Sequence, residues 1–234
     1  LGVMDVNGAM TEYINVQEKL LFKIPDNISY VNASLTEPLA VACGALNKYS
    51  NLEKINDLNL LVVGSGTIGL LLMQVLKSKN PLQLFVSDIS DRRLEIAKKL
   101  GALVVNPVKQ DDPECFKSKT NGIGIDLSFE AVGISETVKQ AVLSLRPKGT
   151  SIWIGNSEKI INLDMQHIVI NELNIIGNYA YSLKDFKMAI DLLEKNIINP
   201  SDIISKVKKL SDGAEVFNEL VSGNQRIIKA VLIN

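Results

Sequence analysis

Leu58–Asp88 reads LNLLVVGSGTIGLLLMQVLKSKNPLQLFVSD, and this stretch decides the fold. Leu58–Val63 is apolar except for Asn59 and has the length of a buried strand. Gly64–Gly69 follows with the spacing G-x-G-x-x-G, Leu70–Leu76 continues as a mostly apolar helix, and Leu82–Val86 is a second strand ending in Ser87-Asp88. Strand, glycine turn, helix and acid in that order are the context that makes this weak motif informative. Gly64 allows a tight turn, Gly66 lets the backbone approach a pyrophosphate, and Gly69 lets the helix close on the strand. Beyond Thr67 and Ile68 the helix N-terminus offers free N–H groups to an anion. Asp88 stands about 20 residues past the turn, where an acid accepts hydrogen bonds from ribose hydroxyls. A carboxylate there repels a 2′-phosphate, and Ser87 and Ile89 bring no basic counter-charge. Arg93, one helical turn on, is expected to face the adenosine edge. The expected cofactor is therefore NAD rather than NADP. A glycine turn in some other α/β protein is the plain alternative.

The same rhythm continues outward. Asp91–Leu100 has the period of an amphipathic helix and stops at Gly101. Leu103–Val105, Asp126–Glu130, Ser151–Ile154 and Leu173–Ile176 read as strands three to six, and Ser135–Leu145 as a helix. Alternating strands and helices imply a parallel α/β sheet wound on both faces. Before the turn, Met10–Val16 and Leu20–Lys23 read as short strands, Pro25–Asn27 as a turn and 38–49 as a helix. The tail predicts helices over Leu183–Lys195 and Gly213–Val221 and a strand over Arg226–Ile233.

Composition narrows the functional classes. The 234 residues carry a net charge of −1, which argues against a nucleic-acid binder. No apolar run approaches the ~18 residues of a membrane-spanning helix, and Leu1–Met10 has no secretory pattern. Cys43 and Cys115 form no C-x-x-C pattern, so neither a disulfide framework nor a closed zinc site is expected, and a cytoplasmic setting fits. Cys43 is expected to be a small buried hydrophobe and Cys115 to lie on an exposed, polar helix. His167 is the sole histidine, which excludes multi-histidine metal sites or proton relays within this chain.

These residues resemble the zinc-dependent medium-chain dehydrogenases, in the sorbitol, threonine, butanediol and galactitol-phosphate dehydrogenase branch. Gly8–Tyr13, Leu35–Ala42, Gly64–Gly69 with Asp88, Arg92–Leu94 with Ala97 and Leu100–Ala102, Phe129–Gly133, Leu145–Thr150, Ile154-Gly155, Glu172-Leu173, Gly177–Tyr181 and Asp185-Phe186 follow that family's landmarks in order. The resemblance implies a Rossmann doubly wound sheet with remnants of a GroES-like β domain at both chain ends. It divides the chain into 1–45 (catalytic-domain remnant and linking helix), 46–181 (NAD-binding) and 182–234 (returning to the catalytic domain). It implies hydride transfer from a secondary alcohol or polyol to NAD, with zinc polarising the alcohol in the complete enzyme. It places NAD against Gly64, Gly66, Thr67, Ile68 and Gly69, with the ribose on Asp88 and the adenosine side near Arg93. Val132, Ile154, Gly155, Tyr179 and Ala180 match positions lining the nicotinamide half. Ala180 stands where polyol enzymes often carry arginine, which weakens a sorbitol-type substrate.

The family's cysteine and histidine-glutamate zinc ligands would precede Leu1, so the expectation is that the chain begins inside a domain. No catalytic residue is assigned, and Glu37 is the single metal-site candidate. A capping box over Ser34–Glu37 is the alternative for Glu37; Pro38 instead suits the first helical position, leaving Glu37 extended and outside the helix. Three functions remain open: the C-terminal part of an NAD-dependent alcohol or polyol dehydrogenase, an inactive nucleotide-binding module, and a zinc-independent quinone or enoyl reductase. Asp88 argues against the third, the absence of Y-x-x-x-K against short-chain dehydrogenase chemistry, and the later landmarks against a methyltransferase. A homodimer or homotetramer through residues 150–178 is expected, because strands there would form a sheet edge.

Overall fold

The computed structural model describes residues 7–109, 115–223 and 226–234. Two short helices open it, α1 (Tyr30–Ala33) and α2 (Thr36–Leu46). Then come β1 (Asn59–Val63), α3 (Thr67–Lys77), β2 (Gln83–Ser87), α4 (Asp91–Lys99) and β3 (Leu103–Val105). The second half of the sheet follows as α5 (Cys115–Lys119), β4 (Ile125–Glu130), α6 (Ser135–Leu143), β5 (Leu145–Trp153), α7 (Met165–Ile170) and β6 (Asn174–Gly177). The tail holds α8 (Leu183–Glu194), β7 (Ile204–Lys209), α9 (Gly213–Val221) and β8 (Lys229–Ile233).

The six strands form one sheet in the order β3-β2-β1-β4-β5-β6, every pair parallel. This is the doubly wound α/β architecture that the alternation implied. Successive residues of a strand face opposite sides, and β1 shows what that requires here. Leu60 and Val62 enter a core shared with α2, α3 and α8, while Leu61 and Val63 enter a second core with Phe85, Phe116 and Ala141. All five β1 residues are buried, so an apolar run without alternation is what this strand needs. Its one polar member, Asn59, is satisfied: its N–H donates to Asp126 Oδ2 at 2.8 Å.

Several sequence expectations are corrected. Met10–Val16 is not a strand, and neither is Leu20–Lys23: Leu20 ends a one-turn 3-10 helix, Glu18–Leu20, and 21–23 are irregular. Met10, Tyr13 and Leu21 are exposed, so a period-2 pattern without a partner strand to pair with stays irregular. Residues 1–6, part of the expected domain remnant, lie outside the described residues. The strand β7 has no apolar run to signal it, because its ISKVKK pattern is half polar; with β8 it forms a separate two-stranded parallel sheet. Cys115 is buried in the second core, not exposed. Cys43 is fully buried, as expected. Among the described residues no helix is long and apolar enough to cross a membrane.

Candidate functional site

The carboxyl ends of the central strands are level. Val63 pairs with Ser87 on one side and Glu130 on the other, and Glu130 pairs with Trp153. Between β1 and β4 the strand order reverses, and open α/β sheets take ligands in the crevice at that point.

The three glycines of the turn have three different tasks. Gly64 takes φ 93°, and its N–H donates to Ser87 O at 2.8 Å, fastening the turn to β2. A Cβ on Gly69 would stand 1.8 Å from Gly64 O, so the helix rests directly on the turn. A Cβ on Gly66 would meet nothing within 4 Å. Gly66 is the N-cap of α3, and the first helical bond runs from Leu70 N to Gly66 O at 2.9 Å. The helix therefore leaves the N–H groups of Gly66, Thr67, Ile68 and Gly69 without a helical acceptor. Open space over a glycine, free N–H groups and a positive helix end suit a diphosphate. The Thr67 hydroxyl is engaged elsewhere, donating to Ile228 O at 2.9 Å, which ties the tail to the turn.

Asp88 is placed to brace this turn. Its Oδ2 accepts Ser65 N–H at 2.7 Å and Ser65 O–H at 2.9 Å, and its Oδ1 accepts Ser90 N–H at 2.9 Å. Lone-pair capacity remains on Oδ1 for a further donor. Arg93 lies beside Asp88: its Nη1 is 3.8 Å from Asp88 Oδ2. The third residue of α4 directs its side chain back toward the helix N-terminus, which is where Asp88 lies.

A second group assembles across the crevice. The N–H groups of Val132 and Gly133 both donate to Glu130 Oε1 at 2.8 Å. The backbone oxygen of Glu130 accepts Ile154 N–H at 2.8 Å and Gly155 N–H at 3.1 Å. A Cβ on Gly155 would lie 2.2 Å from Gly133 N, so the two loops are in backbone contact. Val132, Ile154 and Gly155 are thus gathered by one fully buried residue, Glu130, which spacing alone did not single out. Tyr179 is exposed, and Ala180 takes the left-handed φ of 54°. Both border a cavity of about 480 Å³ at the C-terminal end of α2, with Gly44, Lys48 and Lys184; no residue of the glycine turn lines it.

Glu37 differs from its sequence reading. It is the second residue of α2, exposed, rather than extended ahead of the helix. Leu35 is the N-cap, which puts Pro38 third, where its missing N–H costs no helical bond; the first such bond is Leu39 N to Leu35 O at 2.9 Å. Glu37 also has a partner that sequence did not suggest. The Tyr181 hydroxyl is pushed above its ordinary pKa, by burial first and then by the charge and hydrogen bond of Glu37.

Zinc does not fit this donor set. Among the described residues no three His, Cys, Asp or Glu side chains are grouped to hold a metal. Burial pushes the Cys43 thiol up to about 12, Asp185 adding to the rise and Lys79 opposing it. That environment disfavours the thiolate a metal needs. His167 lies on α7, away from Glu37 in sequence, with its N–H held by Asp164.

Comparison with known proteins is consistent with this geometry. The family profile described as "Zinc-binding dehydrogenase" matches residues 67–195, more than half of the chain. The chain belongs to the zinc-binding dehydrogenase family. Within this family, D-arabitol-phosphate dehydrogenase of Enterococcus avium is 32% identical over 222 residues, covering 94% of this chain and 62% of that protein. The solved 2R,3R-butanediol dehydrogenase of Bacillus subtilis superposes with a TM-score of 0.84 at 30% identity, over 94% of this chain and 62% of that one. A structure titled as a short chain alcohol dehydrogenase from E. coli CFT073, complexed with NADH, gives 0.82 at 27% identity, over 94% of this chain and 64% of that chain. This chain therefore spans about three fifths of the length of these zinc-binding dehydrogenases.

Proposed function

We propose that this chain is the nucleotide-binding, C-terminal portion of an NAD-dependent alcohol or polyol dehydrogenase. The observation that carries the reading is the open Gly66 cradle over the α3 N-terminus, with Asp88 just past the end of the adjacent strand. In this reading the N–H groups of Gly66, Thr67, Ile68 and Gly69 hold the diphosphate, Asp88 takes a ribose hydroxyl, and Arg93, beside Asp88, borders the adenosine side. Val132, Ile154, Gly155, Tyr179 and Ala180 border the nicotinamide half. Bound NAD would supply the hydride acceptor. The chain's own residues bind and orient it; no step is assigned to zinc, because the donor set described does not hold one.

Substrates follow by similarity: the relatives' names point to small alcohols, polyols and polyol phosphates. Residues 1–45 and 182–234 are proposed to belong with a GroES-like domain, and 46–181 to be the cofactor domain. The edge strand β6, with exposed Met165, Val169 and Ile170 nearby, is the proposed homodimer or homotetramer contact. A cytoplasmic location is proposed from the free cysteines. The alternative is a nucleotide-binding module without redox activity.

Titration with NADH and NADPH, followed by turnover assays on an alcohol, polyol and polyol-phosphate panel with added zinc, tests both. NADH binding with turnover supports the dehydrogenase, and NADH binding without turnover leaves the module. Absence of NADH binding refutes both. Asp88→Asn is expected to weaken NADH and narrow its advantage over NADPH; an unchanged ratio refutes the assignment of Asp88.

A further inference from the structure

Glu130 is fully buried at the carboxyl end of β4, on a strand flanking the crevice. Oε1 accepts two N–H groups, but Oε2 is buried with no hydrogen-bond partner among the described residues. No lysine, arginine or histidine among them pairs with this carboxylate either. Two other acids have a cation: half-buried Asp126 pairs with Arg146, and buried Asp88 faces Arg93. A buried carboxylate without a cation is costly. Such a cost persists most readily where a ligand's positive charge relieves it.

We propose that Glu130 sets the preference of this site for the oxidised over the reduced dinucleotide. The inference rests on the reading that Val132, Ile154 and Gly155 line the nicotinamide half. Val132 donates its N–H to the Glu130 carboxylate, and Ile154 and Gly155 donate theirs to the Glu130 backbone oxygen, so all three touch this residue. NAD+ and NADH share the adenosine, riboses and diphosphate. They differ chiefly in the ring, a cation in NAD+ and neutral in NADH. A fixed negative charge beside the ring therefore acts on the difference, while the rest of the cradle binds both alike. At an effective dielectric near 20, a fraction of the coupling of two unit charges in contact is enough for about a tenfold effect.

The test is Glu130→Gln, which keeps the volume and a carbonyl acceptor for Val132 and Gly133 but removes the charge. Dissociation constants of NAD+ and NADH are measured calorimetrically on wild type and variant. NAD+ is expected to weaken about tenfold while NADH changes less than twofold. Equal weakening of both, or no change in either, overturns the inference and leaves the cofactor reading intact. A wild-type chain that binds neither overturns both. Glu130→Asp retains the charge and should keep the wild-type ratio within twofold even where both affinities fall. If the glutamine variant fails to fold, a tenfold change of ratio in the aspartate variant overturns the inference, and an unchanged ratio supports it.

Discussion

Gly66 and Gly69 lie three residues apart in one turn, and the structure assigns them opposite vulnerabilities. In Gly69→Ala the new Cβ would stand 1.8 Å from Gly64 O and 2.9 Å from Gly64 C. A relaxed carbon–oxygen contact is about 3.3 Å or more, so the turn and α3 must separate by about 1.5 Å. Neither side yields cheaply. Gly64 is fastened to β2 by its N–H, and Leu70, Leu71, Leu72 and Met73 of α3 are fully buried. Overpacking of a tight site costs about 1–3 kcal/mol and sometimes more. With backbone on one side and close-packed core on the other, about 3 kcal/mol is expected for Gly69→Ala. For a chain of this size that lowers the melting temperature by roughly 6–12 °C. In Gly66→Ala the Cβ meets no protein atom within 4 Å, and φ is −74°, so alanine fits without strain. Its stability should match wild type within about 0.5 kcal/mol, but the methyl group occupies the space proposed for the diphosphate. NADH affinity should fall at least tenfold. Thermal and urea unfolding measure the first quantity and NADH fluorescence titration the second. Wild-type stability in Gly69→Ala would refute the close-approach argument, and wild-type NADH affinity in Gly66→Ala would refute the cradle.

Other consequences concern the groups around α2. Burial pushes the Asp185 carboxyl up, but the N–H and hydroxyl of Ser182, the Asn47 amide and the Lys48 charge outweigh it, so its pKa is net lowered. The folded value lies below the unfolded one, so the stability it contributes is present above pH ~4 and lost as pH falls through the folded value. Asp185→Asn should flatten the acid limb of a stability–pH curve below pH ~4; an unchanged limb would contradict the assignment. The Tyr181 hydroxyl is raised by burial and then by Glu37. Glu37→Gln should lower its titration toward the ordinary tyrosine value of ~10, read by ultraviolet absorbance, and an unmoved midpoint would deny the contact. Cys43 is fully buried with its thiol pushed up to about 12. It should resist a charged disulfide reagent in the native protein and react on unfolding in urea; native-state labelling of Cys43 would contradict its burial.

The sequence by itself determined the doubly wound sheet, the nucleotide turn and the family. Those features are written in local chemistry: an apolar run of strand length, glycines at fixed spacing, and an acid ending the next strand. Each is required by backbone geometry within a few residues, so each is legible in one dimension. The same local reading failed where the answer depends on what packs opposite. Met10–Val16 alternates like a strand yet stays irregular, while half-polar β7 is a strand because β8 lies beside it. Cys115 looked exposed among polar neighbours, and Phe85 and Phe116 bury it. The proline pattern puts Glu37 outside the helix, whereas Leu35, not a residue with a capping side chain, starts it. Only the tertiary structure turned Arg93 onto Asp88, gave Glu37 the Tyr181 hydroxyl, and left Glu130 buried without a cation among the described residues. The physical reason is that a charge's partner is a matter of distance in space, which residue spacing along the chain does not encode.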